Sequence, residues 1–116
     1  MKLEEQVASL ELCKKLKELG VKQESAFYWS HNEKECSYSL DSFVRHKEHF
    51  AALTVAELGR MLPFFIRFYK CVTGWDIEFK NDKNMSHWVS EATEANARAK
   101  MLIHLIEQGI VNPKES

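Results

Sequence analysis

The side chains best suited to chemistry lie between residues 31 and 49. His46 and His49 are spaced H-x-x-H, and His31 and Cys36 precede them in the same polar stretch. Zinc wants four nitrogen or sulfur ligands, supplied as closely spaced pairs. The histidine pair suits one helical turn, but the spacing from His31 to Cys36 is looser than a zinc knuckle, and no C-x-x-C occurs. These four residues are therefore the only metal candidates, and the expectation is that they form the polar skin of a loop, with no metal or cofactor held. A cysteine nucleophile fares no better. Cys13 falls beside an apolar stripe, Cys71 at a strand end and Cys36 near His31, and nothing nearby promises a lowered thiol pKa. The acidic pairs Asp76/Glu78 and Glu33/Glu35 alternate along a strand and a turn, as solvated side chains do. No G-x-x-x-x-G-K, G-x-S-x-G or H-E-x-x-H is present. No catalytic residue is assigned.

The elements that position these groups follow from caps and periodicity. Ser9 caps a helix whose Leu12, Leu16 and Leu19 form one stripe, and Gly20 stops it. Residues 3–8 either extend that helix or precede it as an arm. The aromatic run 26–30 reads as a strand, with 36–40 as its hairpin partner across a polar turn. The stretch 42–50 reads as loop or irregular edge. Thr54 and Glu57 make a capping box for a short helix that Pro63 ends.

Alternation is clearest in residues 64–71 and 75–80. Setting Phe68 opposite Phe79 aligns their apolar faces, and a one-residue slip would set apolar against charged side chains throughout. Gly74 is expected at positive φ in a four-residue turn. Residues 81–84 read as a second turn and 87–90 as a last strand. Thr93 caps the final helix and Gly109 closes it. The expected order is α-β-β-α-β-β-β-α, a single α+β domain over residues 1–116. Its mostly antiparallel sheet of four to five strands packs with three helices.

Composition narrows the function classes. The chain has 116 residues, 45% hydrophobic, with 16 Lys+Arg against 17 Asp+Glu and a formal charge of −1. A near-neutral chain opposes nucleic-acid binding, which draws on counterion release from a basic face. The aromatics Phe27, Tyr28, Trp29, Tyr69, Trp75 and Trp88 could stack bases, yet core packing explains them more simply. Three widely spaced cysteines are not a disulfide framework. The acidic start and the lack of a long apolar run point to a soluble intracellular protein without a membrane partner.

Three blocks, "SLELCKKLKELGVKQESAFYW", "TVAELGRMLP" and "TEANARAKMLIHLIEQG", resemble segments of small uncharacterised proteins encoded by bacteriophages and prophages. They cover about two fifths of the chain. The resemblance implies a phage or prophage accessory protein in the cytoplasm of a bacterial host, and it carries no activity or catalytic residue. What remains is the last helix. Ala95, Ala99, Leu102 and Ile106 form one stripe, and Met101, Ile103 and Leu105 widen it beyond the arc that one core needs. Met101, His104 and Leu105 are therefore the expected contact face for a protein partner or a second copy. The expected function is a non-enzymatic protein-binding or self-associating module; the alternatives are a small nucleic-acid-associated protein and, behind it, a metal-dependent enzyme using His46 and His49.

Overall fold

Local capping chemistry sets the helices. The computed structural model describes residues 2–32, 34–43, 48–63, 66–80 and 86–115. A short helix α1 (Leu3–Gln6) is separate from α2 (Leu10–Glu18); between them Val7 forms an isolated bridge with Thr54. The Ser9 hydroxyl accepts from the Leu12 N–H, and Gly20 takes φ +95° beyond the end of α2. In α3 (Val55–Met61), Thr54 and Glu57 form both halves of the expected capping box. In α4 (Glu94–Glu107), Thr93 accepts from the Asn96 N–H, and Gly109 follows at φ +73°.

The fold is α+β with antiparallel strands, but the strands form two three-stranded sheets, not one larger sheet. The first runs β2-β1-β3, from β1 (Tyr28–Asn32), β2 (Ser37–Asp41) and β3 (His49–Ala51). Its third strand falls in the stretch expected to be irregular. The second runs β4-β5-β6, from β4 (Ile66–Cys71), β5 (Gly74–Lys80) and β6 (Ser86–Glu91). A 3₁₀ turn at Pro113–Glu115 ends the described chain. The turn expected at 81–84 lies outside the described residues.

The register of β4 on β5 differs by two residues from the expected one. Phe68 faces Ile77, and Ile66 faces Phe79. An even shift keeps every side chain on its intended face, so patterning alone cannot choose between the two registers. The turn decides it: only Val72 and Thr73 lie between the paired Cys71 and Gly74, in place of the expected four-residue turn. Gly74 also packs so tightly on the end of β6 that an added Cβ would land on the Glu91 carbonyl and within 3.0 Å of Ala92 Cα. Its φ of +157° adds to the demand for glycine.

α4 is the common support. Ala95, Ala99, Leu102 and Ile103 join a core with Leu16, Leu53 and Leu58, against which Trp29 and Phe50 of the first sheet pack. Ala97, Met101 and Leu105 join a second core with Ile66, Ile77, Phe79 and Val89. The wide apolar arc of this helix thus serves two sheets of one chain. Met101 and Leu105 are fully buried, which corrects their expected role as an outward contact face.

Candidate functional site

The proposed metal residues are divided by the sheet that carries them. In β1 and β3, Ser30 pairs with His49, and His31 is the next residue along. Successive side chains of a strand point to opposite faces. His31 lies with Tyr38, its centroid 4.9 Å away, while His49 meets Tyr28 edge-on at 5.9 Å. Two histidines on opposite faces cannot share an ion. Cys36 is exposed in the β1–β2 turn at φ +51°. His46 lies outside the described residues, and among the described residues no three His, Cys, Asp or Glu side chains cluster as metal ligands.

What His31 joins instead is a surface network. Its Nδ1 is 3.5 Å from Glu48 Oε2, and the Tyr38 hydroxyl donates to Glu48 Oε1 at 2.8 Å. Partial desolvation and that carboxylate push the Tyr38 phenol above its ordinary pKa. Lys14 and Lys17 of α2 lie over the Tyr38 and Phe50 rings at 5.0 Å each. The network ties the first sheet to α2 without leaving a reactive group uncommitted.

Cys13 and Cys71 are quiet for separate reasons. Burial pushes Cys13 up to about 11, and its Sγ donates to the Ala8 carbonyl at 3.4 Å. Cys71 donates to Asp76 Oδ2 at 3.3 Å, and that carboxylate holds the thiol above its ordinary value. Hydrogen bonds from Ser90, at 2.7 Å, and from Cys71 keep Asp76 below its own. A nucleophilic thiol needs the opposite environment.

A groove of about 400 Å³ is lined by Lys22, Glu24, Ser25, Glu57, Arg60 and Met61. Both of its carboxylates are engaged: Glu24 pairs with Lys22 at 3.3 Å. Glu57 accepts from Ser25 Oγ at 2.6 Å, from the Thr54 N–H at 2.9 Å and from the Ala26 N–H at 3.1 Å. Against the upward push of desolvation, these bonds hold its pKa low. The group anchors a loop and is not poised as a base. Comparison with family models, curated proteins and solved structures returned no match.

The outer face of the second sheet is different in kind. Tyr69, Asp76 and Ser90 stand side by side across its three strands, as do Arg67, Glu78 and Trp88. Tyr69 and Trp88 meet diagonally at 5.6 Å between centroids, 40% and 51% exposed. Around the β4 edge, Phe68 is 38% exposed, and Val72 projects fully from the turn. Four of the six exposed large apolar side chains among the described residues are on this sheet or its turn. Trp75 points the other way and packs against the second core, as its alternation with Ile77 and Phe79 suggested. Trp88, on the same period-two logic, was legible as an outer residue once Val89 faced inward. His104, the remaining residue of the expected contact face, stacks on His87 at 3.5 Å, nearly parallel.

Proposed function

We propose that the chain is a non-enzymatic binding module that holds another protein against the outer face of its second sheet. The observation that supports this reading is the exposed Tyr69–Trp88 pair. Buried aromatic anchors dominate the energetics of protein contacts, and a contiguous exposed apolar patch is costly unless something covers it. Asp76, Glu78, Arg67 and Lys80 surround the pair with both signs of charge, a composition suited to the polar rim of a protein interface. The phage or prophage setting implied by the sequence blocks belongs to this proposal and would place the partner in a bacterial cytoplasm.

The test is a photo-crosslinking amino acid installed at position 69 or 88, and separately at exposed Glu18, in the cell that makes the protein. The same protein should be captured from both sheet positions and not from position 18. Equal capture from all three sites, or none from the sheet, would defeat the reading. The same rings could stack on single-stranded nucleic acid, although Asp76 and Glu78 lie beneath them and would repel phosphates. Affinity for single-stranded DNA that collapses as salt rises would favour that alternative.

A further inference from the structure

The strand at the border of this face carries a second feature. Among the described residues β4 pairs only with β5, and every residue from Arg67 to Cys71 is exposed. An edge strand presents unpaired N–H and C=O groups on alternate residues, which can template another strand. The charges on this strand itself are of one sign. Arg67 stands on the outer face and Lys70 on the inner face, and β4 has no acidic residue. Neither cation has a carboxylate partner among the described residues; Lys70 lies over the Trp75 ring at 5.9 Å. Arg98 of α4, its charge met by Glu94, holds its guanidinium 4.3 Å from the Phe68 ring. Of the nearby acids, Glu94 pairs with Arg98; Glu78 and Asp76, one strand inward, accept from Ser86 at 3.1 Å and from Ser90 at 2.7 Å; and Glu5 shares the cavity wall with Lys70 on the inner side.

We infer that β4 accepts an extended acidic–apolar segment of the partner protein as a fourth, antiparallel strand. This rests on the binding-module reading and names the chemistry of its partner. In that arrangement an acidic side chain meets Arg67 on the outer face and another meets Lys70 on the inner face. Between them, apolar or aromatic residues lie against Tyr69 and Phe68. A cavity of about 290 Å³, with Glu5, Val55, Lys70, Trp75, Thr93 and Glu94 in its wall, gives an inward-pointing apolar side chain room. Backbone bonds supply affinity in strand addition, and the alternate side chains supply specificity. A second copy of this chain is the poorer occupant, because pairing β4 with itself would crowd Arg67 and Lys70 of both copies along one seam.

The experiment is a nuclear magnetic resonance titration with a short blocked peptide in which two glutamates flank a valine–tyrosine pair. A peptide with lysines in place of the glutamates serves as comparison. The acidic peptide should shift the β4 amides, slow hydrogen exchange at alternate ones, and bind about tenfold or more tightly than the basic one. The double substitution Arg67→Glu, Lys70→Glu should reverse that preference. β4 amides unmoved at saturating peptide, equal binding of both peptides, or dimerisation of the chain through this edge would each overturn the inference. Shifts confined to the Trp88 and Tyr69 rings would overturn strand addition while leaving the outer-face reading intact.

Discussion

Single side chains set the pH response. His104 is held below its ordinary value of 6.5 by burial and by the stacked His87, against an upward pull from Glu107. A depressed histidine binds fewer protons when folded than when unfolded. Its contribution is complete above about pH 6.5 and is lost as pH falls toward the folded value. Denaturant midpoints should therefore drop between neutral pH and about pH 5, and His104→Gln should flatten that slope. An unchanged slope would show that the stacked pair does not sense protons. Glu57 behaves with the sign usual for a carboxylate. Its folded pKa is lowered, so its share of stability is present above about pH 4.5 and fades as pH falls through the folded value. Glu57→Ala removes the acceptor for Ser25, Ala26 and Thr54 together. It should cost about 2 kcal/mol at neutral pH by chemical denaturation.

At the scale of elements, glycine and the caps matter most. Gly74→Ala forces a Cβ onto the backbone at the end of β6 and should destabilise the chain by about 2–3 kcal/mol or prevent the β4–β5 closure. A thermal melt within about 0.5 kcal/mol of the parent would contradict that close approach. Such features explain why parts of the fold are readable from sequence. Ser9, Thr54 and Thr93 cap where expected, and Gly20 and Gly109 take positive φ, because each feature depends on neighbours within one turn. β3 escaped notice because three residues carry too little alternation to be distinguished from loop. The β4–β5 register escaped because Phe68 reaches an apolar partner in either of two even registers, and the length of the turn, Val72–Thr73, selects between them.

Across the whole molecule, the decisive feature is that one helix serves two interiors. The sequence of α4 displays a broad apolar arc, and breadth alone does not say whether a second sheet or a second protein covers it. Long-range placement of β5 and β6 answers this for Met101 and Leu105, and no local pattern encodes it. Leu102→Ala and Met101→Ala open cavities on different flanks of the same helix, and each should cost about 3 kcal/mol. Trp29 adjoins the first core and Trp75 the second, so chains retaining one of these tryptophans report on each separately. The two unfolding curves should coincide, since neither flank keeps its support once α4 departs. Distinct midpoints would mean that the helix can release one sheet while gripping the other. The candidate binding face was half legible: alternation assigns Tyr69 to the outside, whereas the diagonal approach of Trp88 requires the paired strands.

Cys13 gives this architecture a built-in stopwatch. Its sulfur is sealed beneath α2 and tied to Ala8, while Cys36 and Cys71 sit in the open. A thiol reagent should reach the two outer sulfurs without any opening of the fold, Cys71 more slowly because Asp76 holds its proton, and then wait for the interior to come apart. The lag before the third modification would measure how often the chain opens, with no dye, tag or substitution required.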